Sequence, residues 1–332
     1  MDILNNAVIT YDCIKASVDV TEKELSDFSV EKGDILFQRS SETLEDVGRA
    51  NVYMDDKTAV FGGFVIRGKK KGEYDPQYFN YLLRSPFARK RIVPMGAGAQ
   101  HFNIGQEGLS KVNLHFANIK EQKKIGKMFS LLDERIATQN KIIEDLKKLK
   151  SAISERLFKS VKGSIVLLSD ICDIVKGKQI NGENLSERGR YYVMNGGTEP
   201  SGYYDDYNVE ANTISISEGG NSCGYVQFNT FPFWSGGHCY SIQNVTENVD
   251  NLYLYHYLKS NEDNIMKLRI GSGLPNIQKK DLAMFKIIVP TLEQQMTIST
   301  FLSSIERKAE IERRIQNAIQ KQKLYLLQQM FI

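Results

Sequence analysis

The chain has 332 residues, 41% of them hydrophobic and 25% charged, with 25 glycines and only 7 prolines. That composition excludes disordered, collagen-like and low-complexity classes, and the length allows two domains of the usual ~100 to 200 residues. The 43 basic and 40 acidic residues leave a formal net charge of +3, which argues neither for nor against a polyanionic partner. No apolar run approaches the roughly 20 residues that cross a bilayer, and the acidic, polar start at Met1 to Asn6 is unlike a cationic signal region, so a cytoplasmic protein without membrane contact is expected. Cys13, Cys172, Cys223 and Cys239 show no CxxC spacing, which predicts reduced, buried thiols rather than a disulfide framework.

In chain order, the first unit is predicted over 1–117. It opens with an acidic stretch, 6 basic against 13 acidic residues from Met1 to Ile66, and continues with 9 basic against 3 acidic from Arg67 to Ala117. GDILF at Gly33 is its β-patterned run, set among Gly/Asn turns. A helix follows over 118–160. Its apolar positions Ile125, Phe129, Leu132, Ile136, Ile143, Leu146, Ile153 and Leu157 alternate spacings of four and three, the rhythm of a coiled-coil seam, with Gln139 and Lys150 breaking it. This segment is also basic, 11 residues against 6 acidic. The second unit is predicted over 161–290, with strands at TISIS (Thr213), GYVQF (Gly224), CYSIQ (Cys239) and FKIIV (Phe285). The second helix, over 291–332, carries Ile298, Leu302, Ile305, Ala309, Ile319, Leu326 and Met330 on its seam, broken at Glu312 and Lys323.

The two halves repeat one another. A shift of 173 residues superposes Gly98 on Gly271, Asn103-Ile104 on Asn276-Ile277, Leu109 on Leu282, Gln122 on Gln295, Ile125 on Ile298 and Phe158 on Phe331. Upstream, GGF at Gly62 matches GGH at Gly236, and DPQYFNYLLRS at Asp75 matches DNLYLYHYLKS at Asp250. A repeat of this length governs the architecture. The expected fold class is α+β: two similar globular domains related by an internal pseudo-two-fold repeat and separated by an antiparallel coiled coil of two long helices. Polar breaks at matching seam positions would set one register. A helix of about 37 residues at about 1.5 Å each makes a spacer of about 55 Å, with a unit at each end. Two separate amphipathic surface helices are the alternative.

Enzyme motifs are scarce. The chain lacks GxxxxGK[ST] and HExxH, and Gly96-Ala97-Gly98 and Gly271-Ser272-Gly273 lack the third glycine of a dinucleotide loop. The (N/D)PP(Y/F) box of amino-methyltransferases and a PD…(D/E)xK nuclease signature are also missing. His238-Cys239 near Cys223 matches no ligand spacing and predicts no metal site.

Helices that begin with Glu121-Gln122 or Glu293-Gln294-Gln295 and end in Leu157-Phe158 or Met330-Phe331 resemble those of the specificity subunit of a type I restriction-modification enzyme. So does the ordered succession LLSDICDIVKGKQ (Leu167), YVMNGGTEPSGYYDDYN (Tyr192), ISISEGGNSCGYV (Ile214), FWSGGHCY (Phe233), GSGLPNIQKKDL (Gly271) and VPTLEQQ (Val289). The resemblance covers nearly the whole chain. It implies a non-catalytic reader of a split double-stranded DNA site: each globular domain reads one half, and the helices set the spacing. Methyltransferase (modification) subunits would dock on the helices, and restriction/translocase subunits would join for cleavage. S-adenosylmethionine, ATP and Mg are then expected only in partner subunits, with no cofactor bound by this chain.

The resemblance also points to reading loops. In the second unit they hold Lys176, Lys178 and Gln179; Glu218, Asn221 and Ser222; and Ser272 and Asn276. In the first unit they hold Gln38, Arg39 and Ser40, and Gln100, His101 and Asn103, with Arg67 and Arg91 as further basic candidates. Glycines allow close backbone approach, Lys and Arg suit phosphate or guanine, and Gln and Asn can pair with adenine. A turn residue or a solvated charge is the competing reading for each side chain. Asn103 and Asn276 are equally suited to holding their loops through the backbone. The sequence departs from the family pattern in two places. Nothing before Met1 corresponds to the strand and loop at Leu167 to Gln179, and Ala117 stands where Pro290 marks the other junction. Two alternatives follow: a specificity subunit inactive in one half, or a coiled-coil scaffold that binds protein only.

Overall fold

The computed structural model describes residues 2–271, 273 and 275–331. Its helices and strands alternate in chain order as α1 (Asp2–Asn5), α2 (Glu22–Phe28), β1 (Ser29–Val30), β2 (Ile35–Gln38), β3 (Ser40–Ser41), β4 (Ala50–Val52), β5 (Ala59–Val60), β6 (Val65–Gly68), α3 (Pro76–Arg84), α4 (Pro86–Ile92), β7 (Phe102–Asn103), α5 (Gln106–Ser110) and the long α6 (Ile119–Ser160). The second half follows with β8 (Ser164–Leu167), α7 (Leu168–Ile171), β9 (Asp173–Lys176), β10 (Tyr191–Met194), β11 (Gly202–Tyr204), β12 (Thr213–Ser217), β13 (Val226–Asn229), β14 (Trp234–Ser235), β15 (Cys239–Gln243), α8 (Asn251–Ser260), α9 (Glu262–Met266), α10 (Lys279–Ala283), β16 (Lys286–Val289) and α11 (Leu292–Met330). The expected α+β class is what the chain adopts. No helix among the described residues is long and apolar enough to cross a membrane.

The chain forms two compact units. Unit 1 runs to Lys141 and also takes α11 from Arg313 onward; unit 2 is Ile142–Glu312. Each unit is therefore built from its own globular part, the start of its own long helix and the end of the other one. In unit 1, β4-β2-β6 form an antiparallel sheet against α3 and α4. In unit 2, β13-β12-β15-β9 form an antiparallel sheet, with β8-β16 and β11-β10-β14 as smaller sheets. Strand β12, TISIS, is buried at all five positions, the pattern of a central strand covered on both faces.

The helix termini explain why the repeat includes the ends of α6 and α11. Phe331 packs on Tyr78 and Phe129 in unit 1; its repeat mate Phe158 packs edge-on to Tyr253 and Tyr257 in unit 2. Met330, expected on the seam, is 37% exposed, and Phe331 is the buried residue instead, its ring packed into the aromatic cluster of Tyr78, Tyr81 and Phe129. The helices have 42 and 39 residues, about 63 and 58 Å at ~1.5 Å per residue, longer than the 37-residue expectation. In unit 1 they run antiparallel: Asp133 meets Lys323 and Asn140 meets Gln316, seven residues up one helix matching seven down the other.

Two devices recur in both units. In unit 1 the Tyr81 hydroxyl donates to Asp133 at 2.7 Å, Asp133 pairs with Lys323, and the Lys323 ammonium lies 5.4 Å from the Tyr81 ring. In unit 2 Tyr255 donates to Glu306 at 3.1 Å, Glu306 pairs with Lys150, and Lys150 lies 5.8 Å from the Tyr255 ring. The polar breaks at Lys150 and Lys323 are thus register pins. Burial, then the adjacent carboxylate, pushes both tyrosine hydroxyls well above their ordinary pKa and keeps them as donors. The other two breaks, Gln139 and Glu312, are each 7% exposed within the helical layer.

The second device is a glutamine latch. Helix α3 starts at the N-cap Asp75, which accepts from the Tyr78 N–H at 2.7 Å, and is followed by Pro76; α8 starts likewise at Asp250, which accepts from the Tyr253 N–H at 2.7 Å. Gln122 accepts from the Asp75 N–H at 2.9 Å and donates to the Ala117 carbonyl at 2.7 Å. Gln295 accepts from the Asp250 N–H at 2.8 Å and donates to the Pro290 and Asn248 carbonyls at 2.9 and 3.0 Å. Each long helix is fastened in this way to the cap of a short one.

Candidate DNA-recognition surfaces

In unit 2, three loops meet at the end of the four-stranded sheet. The N–H of Glu218, just past β12, donates to the His238 carbonyl at 2.9 Å, and the Glu218 carbonyl accepts from the Ile277 N–H at 2.8 Å. The third loop closes on itself through paired Ile270 and Asn276 backbone hydrogen bonds of 2.8 and 2.9 Å. His238 sits third in a four-residue turn closed by the Cys239 N–H on the Gly236 carbonyl at 3.1 Å. The loop after β9 reaches this turn through Gly177, where a Cβ would overlap the backbone of Ser235 and Gly236; only glycine allows that approach.

The side chains form a polar cluster. Glu218 is 8% exposed; its Oε1 accepts from Lys176 Nζ at 2.7 Å and from the Tyr240 hydroxyl at 3.1 Å. Burial and Glu218 hold the Tyr240 hydroxyl above its ordinary pKa. The Glu218 Oε2 lies 3.9 Å from His238 Nδ1 and has no hydrogen-bond partner among the described residues. Lys176 and His238 side chains are 54% and 64% exposed. A buried carboxylate thus tethers a solvent-facing ammonium that keeps donors free for a phosphate or a guanine edge.

Of the other expected residues, Lys178 and Gln179 are exposed on the β9 loop, with the Lys178 backbone fixed by the Ser235 carbonyl at 2.8 Å and the Trp234 indole N–H at 2.9 Å. Gln179 lies against the Gly237 turn residue. Asn221 is exposed and Ser222 half-buried on the Glu218 loop, and Asn276 is exposed. Ser272 lies outside the described residues. Trp234, edge-on to Tyr204 at 5.2 Å, supports the Lys178 loop through its indole N–H.

Unit 1 repeats the frame with different side chains. The Arg39 N–H donates to the Phe64 carbonyl at 2.9 Å, the Arg39 carbonyl accepts from Ile104 at 2.9 Å, and Asn103 and Ala97 exchange hydrogen bonds of 2.8 and 2.9 Å. Phe64 is third in a turn closed by the Val65 N–H on the Gly62 carbonyl at 3.0 Å. Arg39 thus occupies the place of Glu218, and Phe64 that of His238. Arg39, Gln100, His101 and Asn103 are exposed, while Gln38 and Ser40 are half-buried. Ser40 and Asn103 side chains are 2.5 Å apart, and Gln38 donates to the Ser40 carbonyl at 2.8 Å. At Gly98, φ is +146° and a Cβ would overlap the His101 carbonyl.

Arg67 and Arg91 are not brought to this frame. The Arg67 guanidinium, 11% exposed, pairs with buried Asp34 at 2.7 Å and Glu31 at 3.6 Å, at the opposite end of β2 from Arg39. Arg91 stacks on Phe87 at 3.8 Å from the end of α4. Among the described residues no strand pairs with β6 on the side that β9 takes against β15, so unit 1 has no counterpart there to the Lys176–Gln179 loop. Two of the cysteines are unreactive by environment: burial pushes the Cys172 thiol up to about 12 and the Cys239 thiol to about 11.

Comparison with known proteins agrees with this geometry. The sequence model of the type I restriction modification DNA specificity domain matches residues 1–148 and again 163–321. The chain is 26% identical to the sequence described as the type I restriction enzyme MjaX specificity subunit of Methanocaldococcus jannaschii, over 92% of this chain and 79% of that one. It is 32% identical to a type I specificity subunit of Mycoplasma pneumoniae over 43% of this chain and 38% of that one. The fold matches the crystal structure of the S subunit from M. genitalium with a TM-score of 0.66 at 19% identity, covering 92% of this chain and 84% of that one. With two specificity domains in tandem and the fold of a solved specificity subunit, the chain belongs to the type I restriction-modification DNA specificity family.

Proposed function

We propose that this chain is the non-catalytic reader of a split duplex site, each unit recognising one half. The functional division is 1–117 and 161–290 for the two recognition domains, and 118–160 and 291–332 for the helices that set the spacing. The observation that carries this reading is the duplicated loop frame. The same backbone hydrogen bonds hold Arg39 with Phe64 in one unit and Glu218 with His238 in the other, so one scaffold presents two different chemistries, as two unlike half-sites require.

Methyltransferase subunits dock on the helices in this reading, where exposed Leu292, Met296 and Phe301 offer an apolar stripe and the basic excess of 118–160 suits docking or phosphate contact. Catalysis, with S-adenosylmethionine, ATP and Mg, belongs to partner subunits including the restriction/translocase subunits, in the cytoplasm. A gel-shift titration of the chain with its methyltransferase partner on duplex DNA, repeated across salt concentrations, tests the reading. A log–log salt slope of several units is expected, since each phosphate contact contributes about −0.9. Partner binding with no salt-dependent DNA binding would instead identify a protein-only scaffold.

A further inference from the structure

We infer that Phe64 is a specificity-determining residue of unit 1 that makes apolar contact with a thymine 5-methyl group in the bound half-site. The assignment rests on the DNA-reading role proposed above. Phe64 is 78% exposed, the most exposed large apolar side chain among the described residues. Leaving a phenylalanine in water forgoes the favourable burial of a large apolar ring.

The backbone that carries the ring is nevertheless held in place rather than left as a loose loop. Its turn is closed by the Gly62–Val65 hydrogen bond of 3.0 Å, its carbonyl accepts from the Arg39 N–H at 2.9 Å, and the Arg39 guanidinium reaches the Gly63 carbonyl at 3.4 Å. Beyond the adjoining residues of the turn, no heavy atom lies within 4 Å of where a Cβ would stand on Gly62 or Gly63. The turn therefore projects clear of the body and offers close backbone approach to a ligand. Exposed Arg39 stands beside it as a phosphate or guanine donor, so apolar and cationic readout share one edge.

The repeat gives an independent comparison. In unit 2 the same turn, with the same carbonyl hydrogen bond, carries His238 beside the Glu218–Lys176 pair. Both units thus put an exposed ring at this position, and the ring changes from hydrogen-bonding to apolar. An apolar ring in the major groove distinguishes A·T from G·C through the thymine methyl, the one apolar feature that the base edges present there.

The test uses the full chain assembled with its methyltransferase partner. Methylation mapping first defines the site for the unmodified chain; thymines of that site are then replaced singly by uracil, which removes only the methyl group. The unmodified complex should lose affinity about three- to tenfold at one or more thymines of a single half-site. Phe64→Ala should show that loss on natural DNA and no further loss on the uracil substitution. His238→Ala should keep the uracil sensitivity and relax the other half-site. The assignment is overturned if no thymine-to-uracil replacement lowers the affinity of the unmodified complex, if Phe64→Ala keeps the affinity and the uracil sensitivity, or if Phe64→Ala impairs only assembly with the partner subunits. A missing split motif for the unmodified chain would defeat the DNA-reading role itself, whereas a motif unaltered by Phe64→Ala defeats this assignment alone.

Discussion

Replacing Gln295 by Leu should destabilise unit 2 strongly with little change in shape. Gln295 is 0% exposed and satisfies the Asp250 N–H and the carbonyls of Pro290 and Asn248. A leucine of similar size leaves those three groups without partners in a buried place. Each stranded backbone group costs about 1 to 3 kcal/mol, partly relieved by relaxation, so about 3 to 5 kcal/mol is expected. That corresponds to a fall in melting temperature of roughly 6 to 20 °C for a unit of this size. Gln122→Leu strands two groups in unit 1 and should cost about 2 to 3 kcal/mol. Calorimetry on both variants, with amide exchange at residues 251–260 to localise the opening, measures the effect. A loss under about 1 kcal/mol for Gln295→Leu would refute the latch.

The remaining predictions concern register, backbone and pH. A double-mutant cycle on Lys150 and Glu306 should return a coupling of about 1 kcal/mol or more, above the range of exposed pairs, because Lys150 is only 18% exposed; urea unfolding of the four proteins gives the number, and a coupling near zero contradicts the pin. Gly177→Ala forces the β9 loop off the Gly236 turn and should relax one half-site in methylation mapping while leaving the other intact. His256, 2% exposed with Nε2 at 2.9 Å from Ser303, has its pKa lowered to about 4, because burial, helped by Lys150, outweighs the opposing pull of Glu306 and Asp250. A histidine held neutral contributes stability that is complete above about pH 6.5 and is lost as pH falls towards 4. Unit 2 should therefore lose on the order of 3 kcal/mol across that window relative to His256→Gln, as read by melting temperature against pH; parallel curves for the two proteins would contradict it.

Much of the fold was legible because the repeat reports structure at every level. The shift that joined Gln122 to Gln295 and Phe158 to Phe331 pointed at residues that prove to be latches and end plugs. The apolar rhythm at Phe129 and Leu302 marked the faces that bury. What pattern could not show is where a charge spends itself. Arg67 read as a basic candidate, yet Asp34 and Glu31 consume it, since the partner lies 33 residues away along the chain and one strand across. Glu218 reads in SEGGNS as a reading-loop candidate or a solvated acid, while the fold buries it beneath Lys176. Phe64 carries no periodic signal: the repeat pairs its GGF with the GGH of His238, but the hydrogen bonds of the two frames are what show that both rings stand on one turn beside the reading loops.

The central claim is that two unlike recognition surfaces on one scaffold read the two halves of one split site. Single-molecule sequencing of adenine methylation, in cells making this chain with its methyltransferase partner, tests it most directly, comparing the unmodified chain with Gly98→Ala in unit 1 and Gly177→Ala in unit 2. The account predicts one split motif for the unmodified chain, relaxed or lost in one half by the first variant and in the opposite half by the second. A motif that is absent, unsplit, or altered in the same half by both variants would contradict it.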